Sequence, residues 1–78
     1  MTNLELYNNA FIETFEAAEA DLETMEYQTS SAWDSVGHMS LIAALEDAFD
    51  IMMDTDDIID FSSYLKGKEI MKKYDITL

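Results

Sequence analysis

Apolar residues recur at steps of three and four in three stretches of this 78-residue chain, and no stretch alternates cleanly over six residues. That period belongs to helices; strands need a period of two. Valine occurs once, at Val36, and proline is absent. The first stripe is Leu4, Tyr7, Phe11, Phe15, Ala18 and Leu22, with Asn3 or Thr2 able to cap its start. The second is Leu41, Leu45, Ala48, Phe49 and Met52, with Asp34 or Ser35 as N-cap and an end near Asp50. A short third segment, Asp56 to Phe61, begins after Thr55, a capping residue, and its first-turn acids suit the helix dipole. The last stripe is Tyr64, Gly67, Ile70 or Met71, and Tyr74, capped by Ser62 or Ser63. Lys72 and Lys73 fall in its last turn, where the dipole favours cations. Gly67 lies on the packed face; it costs about 1 kcal/mol in helix propensity but allows a close approach of another helix.

Between the first two helices runs a polar, less periodic stretch, roughly Ala20 to Trp33, that includes Gln28-Thr29-Ser30-Ser31. It reads as a long loop pinned by Leu22, Met25, Tyr27 and Trp33. A loop of that length is usually functional or disordered, and the apolar anchors favour order. The expected fold is all-α: a small antiparallel bundle of three longer helices plus one short helix, forming one domain over residues 1–78. An apolar fraction of 49% supports one modest core and not two. With no cysteine, neither a disulfide nor a thiolate zinc site can form.

Seventeen acids face four lysines and no arginine, for a net charge of −13. Nucleic acid is bound by neutralising its phosphates with cations, so this balance excludes it as a default partner. It also disfavours docking on an anionic membrane. Residues 1–65 hold fifteen acids and no lysine, and all four lysines lie in 66–78. Either the charge serves solubility, or partners with basic patches are steered to this surface. Such clustered charge should be relieved by salt, and further by divalent ions bridging Asp54, Asp56 and Asp57. No apolar run approaches the roughly 20 residues of a membrane span. The start, Met1-Thr2-Asn3-Leu4-Glu5, lacks the basic residues or apolar block of a signal peptide, so a cytoplasmic location is expected.

Several chemistries fail on spacing. A calcium loop counted from Asp54 puts Ile58, Ile59 and Leu65 where an oxygen ligand, a glycine and a glutamate are needed. His38, the one histidine, has Asp34 four residues before it, which falls short of a metal shell. Asp34, Ser35 and His38 resemble the members of a hydrolase triad, but all three would sit within one helical turn, without a separate orienting acid or an oxyanion hole. Ser35 remains the most informative residue. It stands where the long loop meets the second helix, and a helix start favours an anionic group. It is either an N-cap or the attachment point of a phosphate ester.

Trp33-Asp34-Ser35-Val36-Gly37-His38-Met39-Ser40-Leu41-Ile42 and the following Ala43-Ala44-Leu45-Glu46-Asp47-Ala48-Phe49-Asp50-Ile51 resemble the acyl carrier proteins. That family's attachment motif is Asp-Ser-Leu, followed by a helix with Leu-x-x-x-Leu-x-x-x-Phe spacing. Asp34, Ser35 and Val36 match the motif with valine for leucine, and Leu41, Leu45 and Phe49 match the helix. Size, acidity, the long first loop and the short third helix extend the resemblance over the whole chain. It implies that Ser35 carries a 4′-phosphopantetheine arm derived from coenzyme A, whose thiol holds an acyl or aminoacyl group as a thioester. The sulfur then belongs to the cofactor, and the carrier is no enzyme. The implied partners are a phosphopantetheinyl transferase, an acyl- or aminoacyl-loading ligase and a downstream transferase or synthase with basic docking patches; the carrier itself is expected to be a monomer. The chain departs from the fatty-acid-synthesis type, which has acids two and five residues after the serine; here these are Gly37 and Ser40. Glu46 and Asp47 match its downstream acidic pair. Gly37-His38-Met39 looks more like stand-alone carriers of specialised pathways.

In a helix starting near Ser35, Met39, Ala43, Glu46 and Asp47 share a face, with Val36 beside them, while Leu41, Leu45 and Phe49 point into the bundle. That face is the expected docking surface, unless Met39 packs under the first loop instead. The alternative to a carrier is an acidic protein-interaction module, or nucleic-acid mimic, without a covalent cofactor.

Overall fold

A computed structural model describes residues 2–28 and 32–78; Thr29, Ser30 and Ser31 of the expected loop lie outside the described residues. Four α-helices and one 3-10 helix make up the regular structure among them: α1 (Asn3–Phe15), the 3-10 helix (Glu19–Thr24), α2 (Ser35–Phe49), α3 (Thr55–Asp60) and α4 (Tyr64–Lys72). The expected small all-α fold, with three longer helices and one short one, is what the chain adopts.

α1 begins with a capping box. The Thr2 hydroxyl accepts the Glu5 N–H, and the Glu5 carboxylate accepts the Thr2 N–H, both at 3.1 Å. The Thr2 N–H and then the Thr2 hydroxyl, which also lies 3.1 Å from Oε1 and donates to it, hold the Glu5 carboxyl below its ordinary pKa. Tyr7, Ala10, Phe11 and Phe15 face the core. The stripe read from the sequence runs on to Ala18 and Leu22, but the helix stops at Phe15, where Glu16 turns left-handed with φ 52°. A helix reaching Leu22 would be about 30 Å long, equal to the longest dimension of the molecule, 30 Å. Stopping early lets the 3-10 helix fold back and bury Leu22, while Ala18 stays exposed. Leu4, at the other end of the stripe, is also exposed.

α2 is capped by Asp34, whose Oδ1 accepts the Gly37 N–H at 2.8 Å, so Ser35 is the first helical residue. The helix ends at Asp50 with φ 53°, and the Ile51 N–H reaches back to the Glu46 carbonyl at 3.1 Å. Its buried face is Leu41, Ile42 and Leu45, with Phe49 half-buried. Ile42 takes the place expected of Ala48, which is exposed; Met52 lies past the helix end and is 88% exposed.

α3 is capped by Asp54, not Thr55, which is already inside the helix; the Asp54 side chain makes no capping bond. Instead the Asp54 N–H donates to the Tyr74 hydroxyl at 2.9 Å. That hydroxyl in turn donates to Asp57 Oδ2 at 2.6 Å, and Lys73 Nζ donates to Asp57 Oδ1 at 2.9 Å. Asp57 is the one buried charged residue among those described, and these two partners hold its carboxyl below the usual range, Tyr74 foremost. α4 is capped by Ser63, whose Oγ accepts the Lys66 N–H at 2.9 Å. Ile70 and Met71 are both buried, beside Tyr64 and Gly67.

The core is largely aromatic. Phe11 lies within 5.0–6.1 Å, centroid to centroid, of Tyr7, Phe15, Trp33, Phe61 and Tyr64. The buried Tyr7 hydroxyl donates to the Tyr64 carbonyl at 2.7 Å, and burial pushes its pKa far above the usual range. A Cβ on Gly67 would run into the Phe61 ring and the Tyr7 hydroxyl. The close neighbours that Gly67 admits are therefore two aromatic side chains, not a helix backbone. The loop after α1 is pinned to the α3–α4 corner by an isolated antiparallel bridge, Glu26 to Ser63. Tyr27 N–H donates to the Ser62 carbonyl at 2.9 Å, and Tyr64 N–H to the Met25 carbonyl at 3.1 Å. The anchors read from the sequence hold: Leu22 and Trp33 are buried, and Met25 and Tyr27 are partly so.

Candidate functional site

Ser35 is exposed at the first position of α2. The cap before it, Asp34, is occupied by the Gly37 N–H, so the Ser35 hydroxyl has no capping duty. Gly37 allows the turn: a Cβ there would strike the Ala32 carbonyl oxygen and press on the Phe15 ring at 3.1 Å. The helix start is thus seated directly over the aromatic core.

Beside Ser35 lies a cleft of about 350 Å³ between α2 and α3, lined by Tyr27, His38, Met39, Ile58, Ile59 and Phe61, with Ser35 and Ser62 at its polar edge. Three apolar side chains stand out around it: Val36 is 74% exposed, Met39 57% and Ile59 72%. A larger cleft of about 570 Å³ lies near the C-terminal end between Leu4, Lys68, Lys72 and Ile76, but it holds neither Ser35 nor His38.

His38 is fully engaged. Trp33 Nε1–H donates to its Nδ1 at 3.0 Å, so its Nε2 carries the proton and donates to the Ile58 carbonyl at 2.7 Å. Neither ring nitrogen is free to accept a proton from Ser35, and the Asp34 carboxylate is committed to its cap. The three residues that resemble a triad in sequence are brought close without the relay a triad needs.

The expected docking face is only partly of one kind. Val36, Met39, Ala43 and Asp47 are exposed. Met39 lines the cleft and does not pack beneath the first loop's core anchors. Glu46 is half-buried, and its Oε2 accepts the Met53 N–H at 2.9 Å, closing the turn after α2. Its acid therefore serves the fold, whatever else it does. Of the carboxylates expected to attract divalent ions weakly and without a dedicated site, Asp54 and Asp56 are exposed. Asp57 is consumed by Lys73 and Tyr74, and among the described residues no group of three His, Asp or Glu is placed to hold a metal.

Tyr27, Ile58, Ile59, Phe61 and Ser62 belong to the cleft but were not legible as site residues. Each was visible only as a loop anchor, a helix residue or a cap, because cleft membership arises when α3 lies against α2. No helix is long and apolar enough to cross a membrane among the described residues. Comparisons with protein-family models, with curated proteins and with solved structures find no match for this chain.

Proposed function

We propose that the chain is a carrier protein that holds an acyl or aminoacyl group as a thioester on a 4′-phosphopantetheine arm attached to Ser35. The observation that supports this most is the placement of Ser35: exposed, first in α2, freed from capping by Asp34 and at the edge of an apolar cleft. These residues fit the arm. The serine oxygen can be esterified without disturbing a buried bond, and the helix start favours the phosphodiester's negative charge. The arm, once bound, supplies the thiol that the cysteine-free chain lacks. The chain's own part is to present that ester, with Val36, Met39 and Asp47 as the surface offered to partners carrying basic patches, namely the transferase, the loading ligase and the downstream synthase. Such work suits the cytoplasm, where coenzyme A is available.

The test is the intact mass after incubation with coenzyme A and a phosphopantetheinyl transferase. The mass should rise by one phosphopantetheine group, and Ser35→Ala should abolish the gain while leaving the helical circular dichroism intact. A gain that survives in Ser35→Ala would overturn the assignment. No gain in the native chain would return the reading to an acidic interaction module without a covalent cofactor.

A further inference from the structure

The larger cleft, at the C-terminal end of α4, combines apolar walls with the chain's scarce cations. Past α4 the backbone turns at Asp75 with φ 61°, and the Asn3 side-chain amide at the start of α1 donates to the Thr77 carbonyl at 3.2 Å. This leaves a hollow of about 570 Å³ walled by Leu4, Ile76 and Leu78, a size common among small-molecule sites. Lys68 and Lys72, one turn apart on α4, line it too. Like charges at that spacing destabilise a helix. The helix dipole accounts for Lys72, in the last turn, but not for Lys68, a turn earlier. The chain has seventeen acids for four lysines, yet the one salt bridge among the described residues joins Lys73 to Asp57. Lys68 is turned instead over the Tyr64 ring, 4.9 Å from its centroid. Asp75 also lines the cleft, exposed, and pairs with neither lysine. The cleft is thus apolar inside and net positive at its lining, in a molecule that is acidic elsewhere.

We infer that this cleft binds a single-chain amphiphile with a carboxylate head, a fatty acid anion, with the head at Lys68 and Lys72 and the chain along Leu4, Ile76 and Leu78. Charge complementarity selects the head, and the apolar walls select the chain. A membrane bearing the same heads is opposed by the net charge of −13. A single ligand seated here feels the distant acids little, since charges are screened over about 8 Å at physiological salt. The site shares no residue with the cleft beside Ser35 and stands whether or not Ser35 carries an arm.

The experiment titrates the full, unmodified chain with sodium decanoate, below its micelle-forming concentration and at physiological salt, and follows the backbone amides by NMR. The amides of Leu4, Lys68, Ile76 and Leu78 should shift together and saturate at one ligand per chain. Octanoate, two methylenes shorter, should bind about tenfold more weakly. Decan-1-ol, with the same chain and no charge, should bind several-fold more weakly than decanoate. Lys68→Gln with Lys72→Gln should weaken decanoate about tenfold and leave decan-1-ol unchanged. Lys72→Gln alone, at an exposed side chain without an ion pair, should weaken decanoate several-fold, and it decides the matter if losing Lys68 from the Tyr64 ring disturbs the fold. Equal affinity for decanoate and decan-1-ol, or variants that bind decanoate as the native chain does, would overturn the role of the lysines and the proposal with it. Shifts centred on Met39 and Ile59 would overturn it by seating the chain in the other cleft. Shifts that never saturate would show detergent-like adsorption only, and shifts of the same amides on raising the protein concentration alone would give the cleft to a second copy; either overturns the proposal.

Discussion

At Gly67 helix propensity and packing pull in opposite directions. Alanine there would gain about 1 kcal/mol of helix propensity. Its Cβ would also enter space held by the Phe61 ring and the Tyr7 hydroxyl, both buried. Overpacking of this kind costs about 1–3 kcal/mol, so Gly67→Ala should lower the urea midpoint despite being the better helix former. Phe11 sits among five aromatic rings, and Phe11→Ala should cost about 3–5 kcal/mol, enough to unfold a chain this small. On the exposed face of α2, Asp47 and Glu46 need separate treatment. Asp47→Lys should slow modification by the transferase, with a defect that shrinks as salt rises, and should leave the melting temperature nearly unchanged. Glu46→Lys should lower the melting temperature as well, because it also removes the acceptor for the Met53 N–H. A thermal melt run beside the modification kinetics separates the two effects.

Among the elements, α3 is too short to stand alone, at six residues. It is held to the end of α4 by Asp57, Lys73 and Tyr74. The pH dependence of that tie follows from the directions of its pKa shifts. Asp57 is held below its ordinary value by the Tyr74 hydroxyl and then Lys73. Its stabilisation is therefore present above about pH 4, the ordinary aspartate value, and is lost as pH falls through the lower folded value. Lys73 is raised, mainly by the bond to Asp57, and Tyr74 is raised, first by burial and then by Asp57. Their contribution is present below their ordinary values, about 10, and is lost as pH rises through the folded ones. The difference in melting temperature between the native chain and Asp57→Asn should thus be largest across neutral pH and close toward both extremes. A difference independent of pH would show that the carboxylate's charge is not what the tie uses. At the opposite end, Thr2→Ala removes the hydroxyl that accepts the Glu5 N–H in the α1 capping box and should cost roughly 1 kcal/mol.

At the scale of the whole molecule the charge is uneven, with fifteen acids and no lysine in residues 1–65. The melting temperature should rise with sodium chloride, since like charges repel over a Debye length of roughly 10 Å at 0.1 M. Magnesium should do no more than sodium at matched ionic strength, because Asp57 is already paired and no group of three acids is placed for a metal among the described residues. A specific rise with micromolar magnesium would contradict that reading of the acidic surface. The same field, with Asp47 and the neighbouring exposed acids around α2, would steer a basic partner toward Ser35.

The helices themselves were legible because their information is local. Capping residues such as Ser63 and the three- and four-residue spacing of Tyr7, Phe11 and Phe15 act within a turn or two, and Ser35 at the head of α2 follows from the same short-range pattern. What the sequence could not carry is everything set by contacts distant along the chain. The early end of α1 follows from the dimensions of the core it must fit, since Ala17 and Ala18 favour helix. The 3-10 helix, and the bridge of Glu26 to Ser63, exist because the loop must meet the corner between α3 and α4. His38 reads in sequence as an isolated imidazole; only when α3 brings the Ile58 carbonyl to it, twenty residues away, does it become a fixed wall. Glu46 reads as a surface acid until the turn after α2 returns Met53 to its carboxylate. Periodicity is a property of one segment, whereas a cleft is a property of two, so the serine was visible from the sequence and its surroundings only from the packing.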